Sequence, residues 1–265
     1  MDSGTLHCAA RRYLMDRFDE LARAYAKLPR QGRRGGSSPT ALRIFPRYQV
    51  VRAMLLEVER LDPDRLPGID GLAAALDRAA FSAQSPFTDP PGGPIQAEVM
   101  ADERGLFSAA VERWIAIPDL EAEPLGYRRV LTSAESSDWR ARLQARWGVQ
   151  ATSWHPMLPG PVPPGVLVLT DAAVQTRAGI GRVRQALRAI GARRVIELRE
   201  DGLDYLLDLD LFVPTYNGAE GVWSDDSLDW VLFASHEGTV AFGGVIARVL
   251  PTVEKNIDDW RWPGW

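Results

Sequence analysis

A histidine and a glutamate stand next to each other in a short polar segment near the C-terminal end of the chain. Residues 235–238 join two apolar runs, which indicates the loop of a β-hairpin. Histidine titrates near neutral pH, and a carboxylate is a common partner in acid–base chemistry. His236 and Glu237 are therefore the candidate catalytic residues. Ser235 does not complete a Ser–His–acid triad, because adjacent residues rarely aim at one another correctly. The alternative is a hairpin turn with a polar tip.

Two glycines flanked by arginines open a predicted helix. The free N–H groups and the positive dipole end of a helix N-terminus bind anions, so the sequence suggests an anion site there. Its candidate residues are Arg177, Gly179, Gly181 and Arg182. A dinucleotide-binding fingerprint is incomplete, because Arg184 stands where its third glycine or alanine belongs. A plain helix start with solvated arginines is the favoured interpretation.

Acidic residues dominate one segment of the C-terminal half. Residues 200–237 contain ten aspartates and glutamates and no lysine or arginine. An acidic surface with aromatic anchors would steer a basic protein towards it and hold it by apolar burial. The partner-binding candidates are Asp225, Asp226, Trp223 and Trp230. The favoured interpretation is that most tryptophans close a core, and those after residue 259 are expected to fold back against the sheet.

No motif indicates a metal ion or a cofactor. Asp208 and Asp210 alternate along a predicted strand, but no histidine, glycine loop or third ligand accompanies them. A solvated face whose charges discourage edge pairing is the favoured alternative. The single cysteine, Cys8, excludes an intramolecular disulfide and a cysteine-built zinc site. The sequence therefore predicts neither metal nor cofactor.

The composition is that of an ordinary folded protein, with 46% apolar and 25% charged residues. No apolar run approaches the roughly 20 residues that cross a bilayer, and the acidic start of the chain is unlike a signal peptide. We therefore expect a cytoplasmic protein that does not enter membranes. The net charge of −4 argues against nucleic acid as the main partner, although residues 1–60 hold twelve basic residues against six acids.

The first half of the chain has the apolar spacing of helices. Leu14, Phe18 and Leu21, for example, follow each other at intervals of four and three. The predicted helices cover about 6–28, 47–61, 69–83, 95–117 and 134–147. Proline, glycine and serine separate them closely, which favours a helical bundle.

A run of prolines separates this half from a β-rich half. Residues 156–165 hold five prolines, which neither a helix nor a central strand accommodates. We expect a helical domain over residues 1–155 and an α+β domain over 156–265. The predicted strands cover 166–169, 195–198, 205–213, 229–234 and 239–242, and the predicted helices 177–190 and 245–254. One βαβ unit followed by adjacent strands predicts a mixed sheet with helices on one face, an α+β fold.

The stretch from Asp229 to Gly244, together with the tryptophan-rich tail, resembles the C-terminal part of uncharacterised bacterial proteins from high-GC genomes. Some of these look like immunity-type proteins of toxin–antitoxin or interbacterial conflict loci. The likeness covers residues 229–265 and includes no catalytic motif.

Two functions follow as hypotheses. The first is a non-enzymatic protein that docks a basic surface of one partner, as an accessory of an immunity or conflict system. The second is an enzyme or a small-molecule sensor with a site around His236 and Glu237, in a cleft between the two halves. A pocket that brings such groups within hydrogen-bonding distance would favour the second.

Overall fold

A computed structural model of the protein describes residues 1–29, 38–150, 154 and 165–264. The chain divides into two compact units, Met1–Leu125 and Gly126–Trp265. The first is helical and the second contains a seven-stranded sheet, so the predicted α+β class is confirmed. The boundary lies before the one expected at residue 155, because residues 128–147 belong to the sheet unit. The proline-rich segment lies outside the described residues except for Gly165.

Four helices build the first unit over the residues that the structure describes. They are α1 (Ser3–Ala26), α2 (Pro39–Val58), α3 (Ile69–Ser82) and α4 (Pro94–Ile115). Their apolar stripes meet in one core, in which Leu14, Leu72 and Phe107 are fully buried. Among the described residues, no helix is both long and apolar enough to cross a membrane.

Helix α2 begins earlier than the sequence pattern suggested. The predicted helix started after Pro46, because proline lacks an N–H group and clashes with the preceding turn. In the structure Pro46 lies inside α2, and the helix begins at Pro39. The Ser38 side chain caps it by accepting a hydrogen bond from the N–H of Ala41 at 3.1 Å. Pro39 is tolerated because it lies in the first turn, where its missing N–H needs no partner.

In its described part, the second unit is a sheet with three α-helices. The strands are β1 (Arg128–Val130), β2 (Val166–Thr170), β3 (Arg194–Arg199), β4 (Tyr205–Asp208), β5 (Gly221–Ser224), β6 (Trp230–Ala234) and β7 (Thr239–Gly244). The helices are α5 (Ser133–Trp147), α6 (Arg177–Ala189) and α7 (Val245–Val253). The strand order is β1-β4-β3-β5-β6-β7-β2, and every pairing among these strands is antiparallel. The expected mixed sheet is therefore corrected: three strands separate β2 from β3, so the helix between them joins no parallel pair.

Helices cover both faces of the sheet, which corrects the expectation of helices on one face. Residues of β6 alternate between the faces, and all five are buried. On one face, Val231 and Phe233 belong to a core cluster that includes Trp139 of α5. On the other face, Phe242 of β7 lines a small cavity together with Val183 of α6. The central strands are thus covered on both sides.

Two strands were not anticipated and one was shorter than expected. Strand β1 has only three residues, and β5 begins with glycine and ends with serine, so neither shows a clear apolar alternation. The predicted strand 205–213 ends at Asp208, and a 3-10 turn, Leu209–Leu211, follows. The C-terminal tail folds back as expected: Arg261 forms a β-bridge with Leu169 of edge strand β2. Trp265 lies outside the described residues.

Candidate functional site

A cavity of about 750 Å³ lies at one end of the sheet, where β3 and β6 begin and β4 ends. Its volume is typical of ligand sites, which measure about 300–1,000 Å³. Its charged lining residues are Arg193, Arg194, Asp208, Asp225, Asp226 and Asp229. Its apolar lining includes Ile190, Leu206, Trp230 and Val245. We call this feature the sheet-end cavity.

The turn between β5 and β6 forms the acidic wall of the sheet-end cavity. The carboxylate of Asp225 accepts hydrogen bonds from the N–H and the hydroxyl of Ser227 at 3.0 and 2.5 Å. Leu228 has a φ of 53°, and its carbonyl accepts a hydrogen bond from the Trp147 indole of α5 at 3.1 Å. A non-glycine residue in this region persists only where its surroundings fix it, and such residues cluster at functional sites. The acidic wall is therefore preorganised.

The charges around the cavity are not equally satisfied. Asp208 accepts a hydrogen bond from the N–H of Tyr127 at 2.7 Å and pairs with Arg194 at 3.3 Å. Asp225 and Asp229, in contrast, form no ion pair with any residue that the structure describes. Asp226 is also paired with an arginine, so Asp225 and Asp229 against Arg193 leave the lining with a net negative charge, which favours a cationic group.

Three of the four partner-binding candidates line this cavity: Asp225, Asp226 and Trp230. The two tryptophans are nevertheless not exposed anchors, because Trp223 and Trp230 are fully buried in central strands. The Trp223 indole donates a hydrogen bond to the carboxylate of Glu197 at 2.9 Å. The expected role of these tryptophans as surface anchors is therefore corrected.

The acid-only segment 200–237 does not form a continuous acidic face. Four of its aspartates pair with arginines from outside the segment: Asp204 with Arg140, Asp208 with Arg194, Asp210 with Arg188, and Asp226 with Arg142. Glu220 and Glu237 both contact His236. The acids without a basic partner in the described part of the chain are Glu200, Asp201, Asp225 and Asp229. Two of those four line the sheet-end cavity.

His236 lies at the opposite end of β6 and contacts a buried carboxylate. Its Nδ1 atom is 2.6 Å from Oε1 of Glu220, and its Nε2 atom is 3.1 Å from Oε1 of Glu237. The Glu220 side chain is 5% exposed and that of His236 is 53% exposed. The same Glu220 oxygen accepts a hydrogen bond from the Ser235 hydroxyl at 3.0 Å. Glu220 therefore fixes the ring and leaves its other nitrogen near the surface.

This arrangement stabilises the protonated imidazole. The hydrogen bond to Glu220 raises the pKa of His236 above its usual value; burial opposes this shift, and the charge of Glu237 adds to it. Ser235 is not the nucleophile of a triad, because its hydroxyl and Nδ1 of His236 bind the same oxygen. The dyad of His236 and Glu220 can hold or transfer a proton, but it does not activate Ser235.

Glu220 was not predicted from the sequence because the strand that positions it was not predicted. Glu220 directly precedes β5, and Gly221 of β5 is paired with Ala234 of β6. This register places Glu220 beside the β6–β7 hairpin, whose predicted loop over residues 235–238 is confirmed. Recognising that residues 221–224 pair with the hairpin would have identified the carboxylate.

The predicted helix start at Arg177 is confirmed by α6, but contacts within the protein occupy much of it. The Thr176 hydroxyl caps the helix by accepting a hydrogen bond from the N–H of Gly179 at 3.0 Å. A Cβ atom on Gly179 would lie 2.0 Å from a backbone carbonyl oxygen, which explains the glycine by packing. Arg182 pairs with Glu254. The remaining two candidates, Arg177 and Gly181, are exposed. An anion site here stays a prediction.

Asp208 and Asp210 are not a carboxylate pair on one strand face. Strand β4 ends at Asp208, and Asp210 lies in the following turn, where it pairs with Arg188. Across the described ranges, no group of three or more histidine, cysteine, aspartate or glutamate side chains is arranged to hold a metal ion.

Comparison of the chain with protein families, with curated proteins and with solved structures gave no match.

Proposed function

We propose that this chain is a non-enzymatic binding protein whose sheet-end cavity receives a basic side chain of a protein partner. The observation that carries the proposal is a cavity of about 750 Å³ lined by four aspartates against two arginines. Asp225 and Asp229 are the carboxylates available to a ligand. The immunity-type resemblance of the C-terminal stretch would make the partner a toxin domain.

An arginine or lysine side chain matches the cavity in both of its parts. Its aliphatic stem packs on apolar surface, while its charged head pairs with a carboxylate. Ile190, Leu206 and Val245 of the cavity can contact the stem, and the acidic wall can bind the head. The preorganised turn keeps the carboxylates in place before binding, which lowers the entropic cost of association.

Capped arginine and capped citrulline form a matched pair of probes, because citrulline has nearly the same shape without the charge. We expect N-acetyl-arginine amide to shift the backbone NMR signals of Ser227, Asp229 and Val245 in the full chain. N-acetyl-citrulline amide should leave them unchanged. Changing Asp225→Asn or Asp229→Asn should weaken arginine binding by about two- to fivefold each, as expected for partly exposed charge pairs.

Glu200→Gln is the matched control, because Glu200 also lacks a basic partner among the described residues but does not line the cavity. Binding by this variant should equal that of the wild type. Equal shifts from arginine and citrulline, or no loss in the two aspartate variants, would contradict the proposal.

The contact between His236 and Glu220 supports a second candidate function. A histidine whose Nδ1 lies 2.6 Å from a buried carboxylate is oriented as a general base or acid. We propose, as the alternative, that His236 transfers a proton in a hydrolytic reaction and that Glu220 positions it. Among the described residues, no side chain is an activated nucleophile. A water molecule would therefore attack the substrate.

Chromogenic ester, phosphodiester and amide substrates test this alternative. An activity that falls at least about a hundredfold in His236→Asn and is reduced in Glu220→Gln would support it. Asp201→Asn is the control, because Asp201 is exposed and has no contact with His236. An activity that persists in His236→Asn, or no activity in the wild type, would reject it.

A further inference from the structure

Five aromatic rings form one cluster in the first unit. They are Phe18 and Tyr25 of α1, Phe45 and Tyr48 of α2, and Phe87 of the connection between α3 and α4. Neighbouring ring centroids lie 5.0 to 6.3 Å apart. We call this group the aromatic cluster. It belongs to a different unit from the sheet-end cavity.

A buried hydrogen bond presents the outermost ring of the aromatic cluster. The Ser85 hydroxyl donates a hydrogen bond to the side-chain carbonyl of Gln49 in α2 at 3.2 Å, and both residues are buried. The N–H of Phe87 in turn donates to the Ser85 hydroxyl at 3.2 Å. Phe87 is nevertheless 67% exposed. Exposed aromatic side chains in fixed positions are typical anchors of protein interfaces.

The helices that carry the aromatic cluster provide positive charge and no negative charge over a long stretch. Between Glu20 and Glu57 the sequence has eight basic residues and no acid. Four of the eight are exposed and have no acidic partner in the part of the chain that is described: Arg23, Lys27, Arg43 and Arg52. Arg52 falls on the same α2 stripe as Phe45 and Tyr48, at spacings of seven and four. An acidic partner would complement this surface.

We propose that the aromatic cluster docks an acidic segment of another protein. Apolar side chains of that segment cover Phe87 and Tyr25, and its carboxylates meet Arg52 and the neighbouring bases. Single-stranded nucleic acid also combines negative charge with rings, but successive bases need flat stacking platforms. The Phe87 ring stands at 73° to that of Phe45, so the two do not form such a platform. The net charge of −4 also disfavours a long polyanion.

Selection from a displayed library of random peptides tests the proposal without knowledge of the partner. The bait is the full chain, and Phe87→Ser is the comparison bait. We expect the wild type to enrich peptides with several acids and at least two large apolar residues. A synthetic peptide of the most enriched sequence should bind Phe87→Ser at least about tenfold more weakly and Arg52→Glu about threefold more weakly.

Phe81→Ser is the matched control, because Phe81 is 65% exposed but lies outside the aromatic cluster. It should bind the peptide like the wild type, as should Asp225→Asn in the sheet-end cavity. Unchanged circular dichroism of Phe87→Ser would exclude unfolding as the cause of lost binding. Enrichment of neutral or basic peptides, or none beyond the Phe87→Ser bait, would overturn the proposal. Tighter binding of a single-stranded oligothymidylate, or self-association that Phe87→Ser abolishes, would also overturn it.

Discussion

Acidification should weaken the first unit through a single buried histidine. His7 lies in α1 and is buried. Its Nε2 atom is 3.4 Å from the carbonyl oxygen of Val58 in α2, so that nitrogen carries the proton and Nδ1 does not. Burial lowers the pKa of His7 to about 4, and the charge of nearby Arg11 acts in the same direction. A second proton on the ring would therefore be poorly tolerated in the folded state.

The sign and size of the effect follow from linkage. In the unfolded chain His7 takes up a proton near its ordinary pKa of 6.5, whereas in the folded chain it does so only near 4. The unfolded state therefore binds more protons between these values, and the free energy of unfolding falls as the pH is lowered through this window. At about 1.4 kcal/mol for each pKa unit, the loss amounts to about 3 kcal/mol at pH 4. That is a large share of a typical domain stability of about 5–15 kcal/mol.

Native-state hydrogen exchange of α1 and α2 at pH 7 and at pH 4 measures this loss in the full chain. His7→Leu removes the titrating group, so its stability should fall by about 3 kcal/mol less than that of the wild type over the same interval. Carboxylates that titrate near pH 4 are common to both proteins and cancel in the comparison. His7→Gln, which keeps a hydrogen-bond donor for Val58, provides a second variant. An equal loss in the wild type and in both variants would show that protonation of His7 does not cause the loss of stability.

Two further predictions concern the second unit. Glu220→Gln should lower the pKa of His236 towards its ordinary value, which an NMR titration of the ring would show. Because Glu220 raises this pKa, its contact with the protonated ring stabilises the fold fully below about pH 6.5. This stabilisation disappears as the pH rises through the raised pKa. An unchanged titration in Glu220→Gln would contradict this assignment. In α6, Gly179→Ala should destabilise the protein by about 2 kcal/mol or more, because the new methyl group would meet the carbonyl oxygen of Ala173 at 2.0 Å. Gly181 has open space around it, so Gly181→Ala should stabilise the helix by about 0.5–1 kcal/mol. Urea unfolding measures the change in unfolding free energy for both variants. Equal changes in the two variants would contradict the packing explanation.

The helical unit was largely predictable because its information is local. The stripe that includes Leu14 and Leu21 recurs at helical spacing, and both residues are buried in the core. The start of α2 was not predictable from Pro46 alone. The rule that proline ends helices competes with a good cap at Ser38 and a proline in the first turn, and the cap determined the start.

The sheet order was not predictable because pairing is not local. A strand, a helix and a strand in sequence predict a parallel neighbour, yet β5, β6 and β7 insert between β2 and β3. The insertion also buries both faces of the central strands, which turns Trp223 from a candidate anchor into a core residue. Likewise, a charge count along residues 200–237 could not reveal that arginines of α5, α6 and β3 neutralise four of its aspartates.

The candidate sites were predictable in part. Asp225 and Asp226 were identified from charge, and both line the sheet-end cavity. His236 was identified from its residue type and its loop position. Its main partner, Glu220, was missed because the two residues come together only through the pairing of β5 with β6. Site residues within one short segment could therefore be predicted from the sequence. A contact between residues of different strands could be identified only from the fold.

Intermolecular NOEs from the side-chain methylenes of capped arginine would show where a basic side chain binds to the protein. If the sheet-end cavity receives a basic side chain, these methylenes should show NOEs to the methyl groups of Val245 and Leu206, and Asp229→Asn should weaken them. NOEs to any other surface, or the same NOEs from capped citrulline, would contradict the account.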